Sequence, residues 1–177
     1  RKEPDSANIL SGVFDGKTLG TPISVVVYNT NQRSKDYDKL KTDYRPGHAD
    51  ETTMQKYGHR DHRGGGRSSG RETLSRVIAG YFASLIIPKI SVRAYIAKMG
   101  PYTSTVDDLL STDDISPYNF PLTEKNEEIK KYLLKLKAEG ESVGGKISIL
   151  IEGCPAGLGE PAFDKLKADF AKGLLSI

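Results

Sequence analysis

The stretch Ser69-Gly70-Arg71-Glu72-Thr73-Leu74-Ser75-Arg76-Val77-Ile78-Ala79-Gly80-Tyr81-Phe82-Ala83-Ser84-Leu85-Ile86-Ile87-Pro88-Lys89-Ile90-Ser91-Val92-Arg93-Ala94-Tyr95-Ile96-Ala97 changes its period partway along. In its first part Leu74, Val77, Ile78, Tyr81, Phe82, Leu85 and Ile86 recur at three- and four-residue intervals, which puts them on one face of an α-helix over 69–87. Ser69 and Glu72 have the spacing of a capping box, and Pro88 ends the run. From 90 to 97 the period falls to two, with Ile90, Val92, Ala94 and Ile96 on one face, which predicts a strand. A helix that turns straight into a strand makes this a mixed α and β chain.

The flanks agree. Residues 23–28 are β-branched after a Gly-Thr-Pro turn and predict a strand. Residues 29–47 read as a long loop with short structure, and residues 101–122 as an irregular connection. Residues 124–139 carry Ile129, Leu133 and Leu136 at helical spacing and stop at Gly140. Residues 146–152 alternate, with Ile147, Ile149 and Ile151 expected inward. Pro161 is placed to open a last helix with Phe163, Leu166 and Phe170 on its buried face. No solenoid repeat and no low-complexity tract is present.

At 177 residues, with 37% hydrophobic and 28% charged, the composition is that of one globular domain rather than a disordered chain. No apolar run approaches the roughly 20 residues that span a bilayer, so no membrane partner is expected. The single cysteine, Cys154, excludes an internal disulfide framework, fits a reducing compartment, and is expected to be a small buried residue. The net charge is only +3, but it is unevenly placed. Between Lys56 and Arg76 six basic residues stand against Asp61 and Glu72, and His48, His59 and His62 lie in or just before that stretch.

Residues 48–68 are polar, without apolar period, and dense in His, Arg, Lys, Asp and Gly. A loop of that kind inside a compact domain is usually functional. Gly64, Gly65 and Gly66 let the backbone approach a ligand, and the helix start beyond them offers N–H groups and a positive dipole end. Arg67 and Arg71 add forked donors, and Ser68 and Ser69 add hydroxyls. This is either an anion cradle or a flexible glycine turn before an ordinary helix. The nucleotide P-loop is excluded because its lysine is missing. His48 is suited to proton transfer near neutral pH, or it is a hydrogen-bonded loop histidine. His59 and His62 lack further well-spaced ligands, so no metal is expected.

The order Arg45-Pro46-Gly47-His48-Ala49-Asp50, then Lys56-Tyr57-Gly58, then Arg60-Asp61-His62-Arg63-Gly64-Gly65-Gly66-Arg67-Ser68-Ser69-Gly70-Arg71-Glu72-Thr73, resembles the chorismate synthases. Arg1-Lys2-Glu3-Pro4-Asp5, Leu10-Ser11-Gly12-Val13-Phe14, Ser142-Val143-Gly144-Gly145, Pro155-Ala156-Gly157-Leu158-Gly159-Glu160-Pro161 and Leu175-Ser176-Ile177 extend the likeness over nearly the whole chain. Gly70 stands where alanine is usual, and Asp50-Glu51-Thr52-Thr53-Met54 departs from a commoner aromatic-containing version.

The resemblance implies an α+β fold, a layered sandwich of antiparallel sheets with helices between them. It implies an anti 1,4-elimination of phosphate from 5-enolpyruvylshikimate 3-phosphate to give chorismate. That reaction requires reduced FMN, and NADPH is a candidate reductant. It assigns His48 as an acid near the flavin, Arg67, Ser68 and Ser69 to FMN, and Ser69 and Arg71 to substrate. It implies a homotetramer for the full-length enzyme, in the cytoplasm or, in a plant-like source, a plastid. Members of the family are about twice as long, and their Gly-Glu-Ser-His-Gly histidine segment would precede Arg1. The chain is therefore expected to be the central part of the enzyme, one domain over 1–177, and inactive by itself. A non-catalytic phosphate-ligand domain is the alternative. A nucleic-acid module is disfavoured because the charge is mild and no aromatics interleave the basic stretch.

Overall fold

The computed structural model describes residues 5–30, 34–64, 66–114 and 116–177, with backbone alone for 34–36. The opening landmark Arg1-Lys2-Glu3-Pro4 and the central glycine Gly65 lie outside the described residues. The chain divides into two compact units, Arg1–Glu72 and Thr73–Ile177.

In the first unit β1 (Ala7–Ser11) pairs antiparallel with β4 (Ser24–Val27), Ala7 opposite Val27 and Ser11 opposite Ser24, with a bulge between Ile9 and Ser11. The expected strand at 23–28 is thus present. Between them β2 (Val13–Phe14) and β3 (Lys17–Thr18) form a small hairpin. Its two turn residues, Asp15 and Gly16, both have positive φ, the conformation that two-residue hairpin turns demand.

A 3-10 segment, Ser34–Lys41, then leads to a helix that the sequence did not announce, α1 (Asp50–Tyr57). Asp50 and Glu51 in its first turn suit the positive end of the helix dipole, and Gly58 closes it in a left-handed conformation with its N–H on the Met54 carbonyl. The one buried residue of α1 is Asp50, a carboxylate. Hydrophobic periodicity cannot find a helix whose inward residue is charged, so residues 48–68 looked like loop throughout.

In the second unit α2 (Glu72–Ile86) runs into β5 (Ser91–Met99), as the change of period predicts. α2 starts later than expected. Ser69 Oγ accepts the Arg71 N–H at 3.3 Å, the bond that a serine just ahead of a helix makes two residues on. Strand β5 pairs antiparallel with β6 (Tyr102–Thr103) on one side and β7 (Gly145–Glu152) on the other. Residues 101–122 are more ordered than an irregular connection. They hold β6, the short α3 (Val106–Leu110) with a reciprocal Thr105–Asp108 capping box, and the fully buried Leu109 and Phe120. α4 (Asn126–Glu139) follows the expected frame: Ile129 is 0% exposed and Gly140 caps the end in a left-handed conformation. Tyr132 of α4 meets Tyr102 of β6 edge to face, ring centroids 5.7 Å apart. Gly100 sits under that contact, and a Cβ there would lie 2.6 Å from the Tyr132 hydroxyl.

The sheet is covered on the face of Tyr95, not on the face of the isoleucines. Val92 lies opposite Ile151, Ala94 opposite Ile149 and Ile96 opposite Ile147, an apolar stripe of cross-strand pairs. Yet Ile147 is 66% and Ile149 43% exposed, which corrects their expected inward orientation. The pattern marks a face able to be buried and carries no information on what covers it. The last helix, α5 (Leu166–Leu174), begins five residues beyond Pro161, leaving Phe163 89% exposed before it and Phe170 exposed within it. Cys154 is exposed rather than buried.

Ile129→Ala is expected to lower stability by about 2–5 kcal/mol. Leu134→Ala, on the outer side of the same helix, is expected to cost less than about 1 kcal/mol. Urea unfolding of the two variants measures this, and equal losses would contradict the placement of the core.

Candidate active site

The described part of the motif stretch folds around one carboxylate. Arg45 donates to Asp50 three times: from its backbone N–H to Oδ2 at 3.2 Å, from Nε to Oδ2 at 2.9 Å, and from Nη2 to Oδ1 at 3.0 Å. Arg60 approaches the other side, Nη1 to Oδ1 at 3.5 Å, with only 7% of its side chain exposed. Arg60 is itself fixed by donating from Nη2 to the Leu40 carbonyl and by lying over the Tyr44 ring. Two forked cations and three hydrogen bonds offset the cost of burying Asp50. They hold its carboxyl well below the usual carboxylate range, with the Arg45 side-chain hydrogen bonds as the largest cause.

The same clamp closes the turn that presents His48. Pro46 and Gly47 take the second and third positions, Gly47 with φ of 74°, and the His48 N–H donates to the Arg45 carbonyl at 3.2 Å. Pro followed by a glycine at positive φ is the signature of a type II turn. His48 is exposed at its end.

A cavity of about 490 Å³ opens beside the clamp, lined among others by Asp50, Tyr57, Arg60, Asp61, Arg67 and Ser68. That volume lies within the roughly 300–1,000 Å³ of small-molecule sites. Both wall carboxylates are already paired, Asp50 as above and Asp61 by Arg63. The Arg63 side chain and N–H hold Asp61 down to about 2. Arg67 pairs with Glu72 at 3.2 Å, but its side chain is 91% exposed. Such an exposed pair is worth about 0–1 kcal/mol, so Arg67 can turn to a ligand at small cost. Among the described residues the Nη1 of buried Arg60 has no hydrogen-bond acceptor.

Of the residues singled out in the sequence, the cavity wall brings together Arg67 and Ser68. Ser69 lies just beyond, half-buried, its N–H on the Gly66 carbonyl. Arg71 is exposed at the start of α2, and neither it nor His48 is in the cavity wall. Sequence reasoning missed the Asp50, Arg45 and Arg60 cluster. Its signal was present as the bracketing of Gly47-His48 by Arg45 and Asp50, opposite charges five residues apart. Among the described residues no group of three or more His, Cys, Asp or Glu converges to hold a metal, and no helix is long and apolar enough to cross a membrane.

Comparison with known proteins agrees with the motif order. Residues 1–177 match the family model for chorismate synthase. A chorismate synthase of Phocaeicola vulgatus is 50% identical over 185 aligned residues, taking in 100% of this chain and 51% of that protein. One from Flavobacterium psychrophilum is 46% identical over 187, with 100% and 51% covered. A crystal structure of chorismate synthase superposes with a TM-score of 0.68 at 28% identity, over 97% of this chain and 52% of that one. The chain belongs to the chorismate synthase family and has its α+β fold in part. It spans about half the length of the curated relatives it matches.

Asp50→Asn is expected to cost about 3–5 kcal/mol at neutral pH, since it leaves the buried Arg60 and the half-buried Arg45 guanidiniums without a counter-charge. A carboxyl whose folded pKa lies below its unfolded value of about 3.9 adds stability that is complete above that value. The stability is lost as the pH falls through the folded value. The gap in unfolding free energy between parent and variant should therefore be constant from about pH 7 to 5 and shrink below about pH 4. Urea unfolding across that range tests it; a gap absent at pH 7, or widening in acid, contradicts the clamp.

Proposed function

We propose that this chain is the central part of a chorismate synthase, which eliminates phosphate from 5-enolpyruvylshikimate 3-phosphate to give chorismate on the shikimate route to aromatic amino acids. The observation that carries the reading is the cavity whose wall holds Arg60, Arg67 and Ser68, inside the stretch that bears the family motifs. Reduced FMN, when bound, supplies transient electron density to a reaction that has no net redox change. The donor set fits the phosphate end of such a cofactor: an exposed guanidinium at Arg67 and hydroxyls at Ser68 and Ser69, ahead of the N-terminus of α2.

The substrate carries two carboxylates and a phosphate, so its binding and the loss of phosphate call for fixed positive charge near the reacting bonds. Arg71 and Ser69 supply donors to it. Arg60 lines the cavity but stays tied to Asp50, as Arg45 does behind it, so both hold the site together rather than meet the ligand. His48, presented on its exposed turn, is the proton donor near the flavin. The homotetramer, NADPH as reductant and a cytoplasmic setting belong to this reading of the full-length enzyme. Because the chain spans only half the length of its relatives, the isolated 177 residues are expected to turn over weakly or not at all.

The test is chorismate formation by the full-length polypeptide under anaerobic conditions with reduced FMN. His48→Ala should lower kcat by on the order of 100- to 10,000-fold. Arg71→Ala should weaken substrate, and Arg67→Ala should weaken FMN, each by roughly 10- to 150-fold, the worth of a charge-assisted hydrogen bond. Turnover that does not need FMN would contradict the reading, as would variants with unchanged constants. Brisk turnover by the isolated chain would contradict its fragmentary status.

A further inference from the structure

We propose that Asp50 is a positioning residue for His48, acting through Arg45. The proposal rests on the reading above that His48 carries a proton in the reaction. Asp50 is the first residue of α1 and is anchored by that helix. Its carboxylate binds both the backbone N–H and the guanidinium of Arg45, which is the first residue of the turn that ends in His48. The carbonyl of the same Arg45 accepts the His48 N–H. Arg45 is thus gripped at three points, and the histidine hangs from its fourth. Pro46 and Gly47 add rigidity, because proline fixes one backbone angle and Gly47 supplies the positive φ.

The second cation sharpens the role. Arg60 shares the Asp50 carboxylate and is almost wholly buried. With Asp50 neutral, the Arg45 and Arg60 guanidiniums would face each other unscreened, and Arg45, the more exposed of the two, would leave. Its departure releases the turn and with it the aim of His48. The cofactor donors Arg67, Ser68 and Ser69 lie in a later segment, where the Ser69 N–H donates to the Gly66 carbonyl rather than to that turn.

The test is a double-mutant cycle on the full-length polypeptide, with the amide exchange rate of His48 measured alongside. Asp50→Asn should lower kcat by roughly 10- to 100-fold and change KM and FMN affinity by clearly less, the pattern of a misplaced reacting group. In a His48→Ala background the same change should cost almost nothing further. The His48 amide should exchange at least about tenfold faster in Asp50→Asn while β5 amides stay as they were. Equal losses in both backgrounds, or an unchanged kcat, overturn the proposal. If Asp50→Asn does not fold, Arg45→Lys, which keeps the charge and loses the fork, is read the same way. If His48→Ala itself leaves the rate intact, the assignment of His48 has failed. The exchange rate then decides the clamp alone: an unchanged rate overturns it and a faster one upholds it.

Discussion

A buried carboxylate shared by two guanidiniums organises the first unit. Asp50 is taken from water into a setting where an unpaired charge would be expensive, and it persists there because every strong lone-pair direction is met by a cation or an N–H. Three successive segments depend on it: the chain around Leu40 and Tyr44 through Arg60, the turn at 45–48 through Arg45, and α1 through Asp50 itself. Little apolar burial occurs in this region, so the ion cluster does the work that a hydrophobic core does elsewhere. That solution fixes direction as well as position, because forked donors bind a carboxylate in one plane.

The arrangement also separates two kinds of arginine. Arg45 and Arg60 are committed to Asp50, and Arg63 to Asp61. Among the described residues Arg67 is held by an exposed contact to Glu72. With both carboxylates of the cavity wall already paired, they offer little repulsion to an incoming anion. The charge that the sequence concentrates between residues 56 and 76 is thus divided between holding the site together and meeting a ligand.

How much of this was legible in the sequence depended on what each element buries. α4 could be read because Ile129, Leu133 and Leu136 fall on one side and Gly140 stops it. The passage from α2 to β5 could be read because the period changes from helical to alternating within a few residues. α1 could not, since its inward residue is Asp50. The stripe of Ile147, Ile149 and Val92 was visible, but its direction was not. Alternation identifies two faces of a strand, and which one is covered depends on the rest of the fold, which buries Tyr95 and leaves Ile147 and Ile149 exposed. Phe163 and the exposed Cys154 failed for a related reason: a loop rich in Gly and Pro has no period from which burial can be inferred. The motifs for anion binding were legible as residue types, and the ion cluster that supports them became visible only once the chain was folded.

The measurement that bears most directly on this account is a crystal structure of the full-length polypeptide with FMN and the phosphate-ester substrate bound. The account predicts that Asp50 still bridges Arg45 and Arg60, with the His48 turn closed above them. It also predicts that Arg67 and Arg71 each donate to an oxygen of a bound phosphate or carboxylate. Ligands seated away from residues 45–71, or an Asp50 side chain turned to solvent with His48 unchanged, would contradict it.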